Sequence, residues 1–345
     1  MKHYVFFSYF LFLFMSLSLP AIASIETAQT NPIGQYSDIQ PLARQSLLLD
    51  IVNINNSRLV AVGERGHILT SNDGQGWVQR PVNTRSTLTK VYFFNQQLGW
   101  AVGHDSVIVH TQDGGDTWAV QQFLPNKQRP LFDIHFFSPT HGLAIGAYGT
   151  SFRTEDGGKS WHEEFHLELL TEDDQLYLED IKAEDEEFYQ QEIASILPHF
   201  NRLLKTDDAL YMVGEIGLIA KSVDQGRTFT LLDEIYAGSF FDVFQASNNV
   251  LYVAGLRGNL FYRANSTSHW QKVDTHTTAL LNDIIETPNH KLIVIANAGN
   301  ILISDDGKNF DLHTQADGKA LLAAVWFNNT LIAASEVGIK VIEVK

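Results

Sequence analysis

A block of about eighteen residues recurs along this chain at a spacing near forty. Residues 60–77 read VAVGERGHILTSNDGQGW, 101–118 AVGHDSVIVHTQDGGDTW, 144–161 AIGAYGTSFRTEDGGKSW and 212–229 MVGEIGLIAKSVDQGRTF. Residues 253–270 read VAGLRGNLFYRANSTSHW, 294–310 VIANAGNILISDDGKNF, and a truncated seventh copy, AASEVGIKVIEVK, ends the sequence. Aligned on the second glycine of each G-x-x-G, the copies stand at 66, 106 (a serine), 149, 217, 258, 299 and 338, so the steps are 40, 43, 68, 41, 41 and 39. Four short strands and three tight loops fill such a period. The step of 68 is one period plus an insertion of about 27 residues.

Every copy runs in the same internal order. An alternating or apolar strand such as Phe132-Asp133-Ile134-His135-Phe136-Phe137 is followed by a polar turn. A second strand enters the G-x-x-G turn, a third ends at an Asp/Gly cluster, and a fourth begins at Trp or Phe. Short strands with regular turn signals indicate an all-β chain, and repeated four-strand units a propeller. The expected architecture is a seven-bladed β-propeller. The last copy lacks its outer strand, so a segment at about 34–43 is expected to pair with the C-terminal strand and close the ring, covering two open edges.

The Asp/Gly cluster has the form [ST]-x-D-x-G-x-[ST]-[WF], complete at Thr111–Trp118, Thr154–Trp161 and Ser222–Phe229. This is an Asp-box (BNR-type) hairpin. Its carboxylate accepts from turn N–H groups, its glycine supplies positive φ, and its aromatic folds back on the blade. Asp113, Asp156, Asp224 and Asp306 recur blade after blade, which assigns them to folding, since an active site uses each group once.

Charge and composition remove several functions. The formal charge of −16 argues against nucleic acid and against direct docking on anionic lipid. The absence of cysteine removes thiol catalysis, thiolate metal sites and disulfides. Met1-Lys2-His3, an apolar run from Tyr4 to Leu19 and Ala21-Ile22-Ala23 have the layout of a signal peptide, 1–23, cut after Ala23. That apolar run is shorter than the roughly 20 residues a membrane span needs. The expected location is therefore periplasmic or secreted, with 24–345 forming one monomeric propeller.

The Phe94–Trp118 stretch, F-x-x-x-x-x-G-W-A-V-G-x-x-x-x-I-x-x-T-x-D-G-G-x-T-W, resembles the photosystem II stability/assembly factor propellers and their relatives in non-photosynthetic bacteria. The A-V-G-x-x-G element ahead of each box makes that likeness more specific than the boxes alone. The resemblance implies a non-enzymatic scaffold. Such a scaffold holds a segment of a membrane protein or membrane-transporter complex from the extracytoplasmic side. It implies no cofactor and no metal. The chain departs from the photosynthetic branch in having only Arg65 and Arg257 at the G-x-x-G tips, and in carrying a long acidic insertion.

Strand alternation puts the G-x-x-G turns and the blade-to-blade connections on one face and the Asp-boxes on the other. Variable tips over a repeated frame are where binding residues belong. The candidate contacts are Glu64, Arg65, Tyr148, Glu215, Arg257 and Glu336. The insertion, about 165–199 between blades 3 and 4, holds eleven acids against Lys182. It reads as one or two helices with an apolar stripe, serving either as a solvated flap or as a partner-binding element. The histidines are too scattered for a ligand set, with His104/His110 and His135/His141 flanking a strand and a turn. The rival reading is a glycoside hydrolase or glycan-binding propeller of the sialidase-like Asp-box class. It could use a Glu64–Glu336 pair on neighbouring blades, but it has no F-R-I-P signature and too few tip arginines.

Overall fold

The computed structural model describes residues 37–265 and 268–344. The expected signal peptide lies outside them. Seven antiparallel sheets follow one another in chain order, six of four strands and the last of three. Their first strands are Leu48–Ile54, Leu88–Phe93, Leu131–Phe136, Phe200–Lys205, Phe240–Gln245, Leu281–Glu286 and Leu321–Phe327. Consecutive first strands touch around the ring, the seventh touches the first, and these strands therefore line the axis. The seven-bladed propeller is as expected.

The packing explains why the second strands carry the most apolar residues. Arg58–Gly63, Gly99–Gly103, Gly142–Gly146 and their counterparts are buried on both sides, with Arg58 and Thr330 only half-buried. One apolar cluster fills each of the seven junctions between neighbouring blades. Each fully buried Val, Leu or Ile contributes about 1.5–3 kcal/mol relative to exposure. A blade alone could bury only one face, so the repeat folds as a ring.

Ring closure differs from the expectation. Over its described part, 37–43, the N-terminal segment forms no strand, and the seventh sheet has three strands. Ser37 instead turns toward blade 1. Its N–H donates to Val82 O at 2.8 Å, and its hydroxyl accepts from Val82 N at 3.1 Å. Gln79 bonds this segment as well, donating to Asp38 O and accepting from Gln40 N. Blades 7 and 1 join through side chains: Leu48, Ile51 and Leu59 pack with Phe327, Ile332 and Ala334. Asn53 Nδ2 also donates to Trp326 O at 2.8 Å. Face-to-face burial thus replaces the strand exchange, because the edge left by the missing strand is not where the apolar area lies.

The insertion forms two helices, α1 (Glu172–Glu184) and α2 (Glu186–Ile193). Thr171 caps α1 by accepting from Asp174 N at 3.2 Å. Asp185 ends α1 through its N–H to Ile181 O, and caps α2 by accepting from Phe188 N at 3.0 Å. Leu178, Ile181, Tyr189 and Ile193 pack into the junction between blades 3 and 4. Among the described residues, no helix is long and apolar enough to cross a membrane.

Candidate functional site

The G-x-x-G turns form the rim of one face, and their geometry is shared. Glu64-Arg65-Gly66-His67 is a tight turn in which Arg65 (φ 55°) and Gly66 (φ 70°) are both left-handed and His67 N donates to Glu64 O at 2.9 Å. Two consecutive positive φ values give the type I′ turn that matches strand twist. Asp105, Tyr148, Arg257 and Ala298 occupy the same left-handed position. The first glycine has a different cause. A Cβ on Gly103 would sit 2.0 Å from Thr87 O and 2.8 Å from Leu88 Cα, because the turn passes directly under the start of the first strand. The next residue-pair is then clamped to the following blade-to-blade connection: Ser106 N to Arg129 O, Gly149 N to Pro198 O, Gly217 N to Gly238 O and Gly258 N to Ala279 O, at 2.8–3.0 Å. These four tips are thereby held at three points while an outer side chain faces solvent.

The six candidate contacts divide into two kinds. Arg65, Tyr148 and Arg257 are exposed tip residues. Tyr148 has the Arg129 guanidinium 5.7 Å from its ring and the His199 ring edge-on at 4.6 Å. Arg257 borders an open cleft with Lys272, Asp274 and His276. The three glutamates are engaged within the frame. Glu64 accepts from Leu47 N at 3.2 Å and Glu215 from His199 N at 3.2 Å, while Glu336 pairs with Lys319 at 3.2 Å. Glu64 and Glu336 are thus each held in separate interactions, not presented as an acid/base couple.

The Asp-boxes occupy the other face and behave as folding elements. Asp113 Oδ1 accepts from the N–H groups of Asp116 and Thr117 at 3.0 and 2.9 Å, and Oδ2 from the Thr117 hydroxyl at 2.6 Å. Burial, the largest single influence, raises the Asp113 carboxyl, but the bonds from Thr117, Thr111 and Asp116 together outweigh it and hold Asp113 at about 2. Asp224 is held at about 2 against the same cost, by Ser222 and Thr228. Asp156 and Asp306 are lowered through equivalent bonds. Asp113→Ala is expected to destabilise the propeller by about 1–2 kcal/mol, the loss of a turn-capping acceptor. Urea unfolding checks the stability term. A catalytic role would require lost function with unchanged stability.

A ring of ionisable side chains on the axis went unread in the sequence. Asp50, Lys90, Asp133, Arg202, Asp242 and Asp283 are each the third residue of a first strand, and Ala323 holds that place in blade 7. The register slips by one residue at this point in each of these blades, turning the third side chain toward the axis. Four carboxylates stitch one blade to the next by accepting an N–H: Asp50 from Val91, Asp133 from Leu203, Asp242 from Ile284 and Asp283 from Ala324, at 2.7–2.9 Å. Lys90 pairs with Asp50 at 3.1 Å. Arg202 Nε lies 3.2 Å from Asp242 Oδ1, off the hydrogen-bond axis. Burial raises Asp133 and Asp242, and burial together with the charge of Asp242 pushes Asp283 up to about 7. The signal was available as an acid or base two residues after the repeating Leu or Phe.

Two arrangements bear on catalysis and metal binding. Ser247, Glu286 and His290 meet at the inner hairpin tips on the Asp-box face. The Ser247 hydroxyl donates to Glu286 Oε1 at 2.6 Å, and both oxygens approach the same ring nitrogen, His290 Nδ1, at 2.9 and 3.0 Å. A relay needs the two different nitrogens of the ring. This contact instead ties blade 5 to blade 6. Of the four histidines singled out above, His110 Nδ1 donates to Gly99 O and the ring stacks on Trp100, and His135 lies edge-on between Tyr92 and Phe137. His141 bonds Ser138 and Thr140 in its turn, and His104 is exposed. Among the described residues, no group of three or more His, Asp or Glu is arranged to hold a metal ion.

Comparison with known proteins agrees with this architecture. Residues 33–128 match the family model described as photosynthesis system II assembly factor YCF48. No curated protein matches the sequence significantly. Among solved structures, one described as YCF48 bound to D1 peptide superposes with a TM-score of 0.63 at 18% identity, covering 88% of this chain and 95% of that one. YCF48 from Cyanidioschyzon merolae gives 0.63 at 16%, covering 88% and 97%. Virginiamycin B lyase from Staphylococcus aureus gives 0.68 at 12%, covering 88% and 96%. At these identities the superpositions establish the propeller fold, which enzymes and non-enzymes share.

Proposed function

We propose, from the premise that this chain is a photosystem II assembly factor-like β-propeller, that it is a non-enzymatic scaffold. It acts in the periplasm or outside the cell after loss of its signal peptide. There it binds an exposed segment of a membrane protein or membrane-transporter complex from the extracytoplasmic side, as a monomer. The observation that carries this reading is the connection face. The first residue of each of the seven tips is bonded through its backbone N–H to the preceding connection, while Arg65, Tyr148 and Arg257 are exposed, which is how a rigid scaffold presents contact residues. The relative solved with D1 peptide supports the choice of a peptide segment as ligand. Among the described residues, neither the Ser247–Glu286–His290 contact, which uses one ring nitrogen, nor Glu64 and Glu336, held apart in separate interactions, forms a competing acid, base and nucleophile.

The test is affinity capture of the tagged protein from lightly crosslinked membranes, with mass spectrometry of what accompanies it. One integral membrane protein or transporter is expected to be enriched, and Arg65→Glu with Arg257→Glu is expected to reduce its recovery about tenfold, the scale of one or two lost interface contacts. Turnover or retention of a glycan by the protein, with no protein partner recovered, would overturn the scaffold.

A further inference from the structure

We propose that the sector between blades 3 and 4 on the connection face docks a cationic amphipathic segment of the partner. This rests on the scaffold reading and adds which sector binds and which chemistry it selects. Large apolar side chains left in water are concentrated there. Of the twelve strongly exposed ones among the described residues, Leu176 (59%), Tyr177 (44%) and Phe188 (43%) lie on the insertion. Tyr148 and Ile216 crown the two flanking tips. The fold does not need the three insertion residues outward, since α1 and α2 are anchored by other side chains, Leu178, Ile181, Tyr189 and Ile193.

The two aromatics share one outward face of the helix pair. The Tyr177 hydroxyl reaches Glu192 Oε2 at 3.4 Å across the pair, and Phe188 stands one turn before Glu192 on α2. Asp173, Asp180 and Glu184 follow the Tyr177 face of α1 at helical spacing, and none of them makes an ion pair or side-chain hydrogen bond. The sole Lys or Arg of the insertion, Lys182, is turned onto the Tyr189 ring at 4.9 Å. Uncompensated negative charge around exposed aromatics fits a segment with Lys or Arg on one side and apolar groups on the other. The cations answer the acids and speed encounter, while the aromatics supply contact area at low entropic cost.

The probe is a fluorescent helical peptide of Leu and Lys, compared with a scrambled peptide of the same composition and a Leu/Glu peptide, all titrated into the full chain. The Leu/Lys peptide is expected to bind, the scrambled one about tenfold more weakly and the Leu/Glu one not at all. Tyr177→Ser with Phe188→Ser is expected to weaken binding at least tenfold, and Asp173→Asn, Asp180→Asn with Glu184→Gln to weaken it and flatten its salt dependence. All five positions are solvent-facing, and thermal unfolding verifies that the fold is kept. Equal affinity for the scrambled peptide, or unchanged affinity in the aromatic variant, overturns the proposal. Membrane capture that persists without peptide binding defeats this inference alone. Peptide binding without capture of any membrane protein defeats the scaffold reading instead.

Discussion

Arg202→Met is expected to destabilise the propeller by about 3–5 kcal/mol at pH 8, the range for removing one partner from a buried ionic group, and by clearly less at pH 5. Arg202 offsets the charges of Asp242, Asp133 and Asp283, and its own ionised form is correspondingly favoured despite burial. Without it, only Lys90 opposes four axial carboxylates. The sign of the pH effect follows from linkage. Asp283 titrates near 7 in the folded state, above the ordinary value of 3.8. Its contribution to stability is therefore complete below about pH 4 and is lost as pH rises through 7. Removing Arg202 pushes the axial carboxylates up further, so the variant's loss grows with pH and shrinks where they are protonated. The Asp-box carboxylates act in the opposite window. Asp113 and Asp224, held at about 2, contribute fully above pH 4 and lose that contribution as pH falls to 2. Wild-type stability is expected to rise from pH 2 to 4 and to decline from 4 to 7, measured by urea unfolding followed through tryptophan fluorescence. A loss in the variant that is the same at every pH would defeat the axial assignment.

The contrast between what the sequence disclosed and what it concealed follows the range of the interactions. The blades, the Asp-boxes and the insertion are set by local periodicity, so counting residues between glycines was enough to place them. The role of Asp113 was legible because its partners, Asp116 and Thr117, are three and four residues away. The closure of the ring was not, because Ser37 bonds Val82 across 45 residues and the 7–1 junction is apolar on both sides. The axial ring hid for a related reason. The one-residue register slip that turns Asp133 or Asp242 toward the axis is not readable from alternation, and the backbone N–H that each meets lies on the next blade. Among the candidate contacts, the positions of all six on one rim were readable. The engagement of Glu64 and Glu215 was not, since it depends on a turn passing beneath a backbone N–H that lies 16 or 17 residues earlier.

Trp100→Ala is expected to cost about 3–5 kcal/mol, the range for truncating a large buried aromatic. Trp100 is 1% exposed and joins two blades. Its ring stacks on Phe136 of blade 3 at 3.5 Å between centroids and on His110 of its own blade at 4.5 Å. Its Nε1 donates to Gln121 Oε1 at 3.2 Å, and Gln121 Nε2 donates onward to Gly157 O in the Asp-box turn of blade 3 at 2.9 Å. Deleting the indole therefore opens a cavity at the 2–3 junction and frees a glutamine that positions the next box. Trp100→Phe keeps a stacking ring and loses the donor and part of the ring area, so it is expected to recover about half of the lost stability. Trp77→Ala is the matched control. That indole is half-buried at the 7–1 junction and bonds only its own turn, at Gly74 O, so its loss is expected to cost less than half as much. Because each junction carries its own apolar cluster, hydrogen exchange should show the Trp100→Ala damage concentrated in blades 2 and 3, with protection in blades 5 and 6 retained. Uniform loss of protection around the ring would mean that the blades do not hold separate junctions, and that the propeller opens only as a whole.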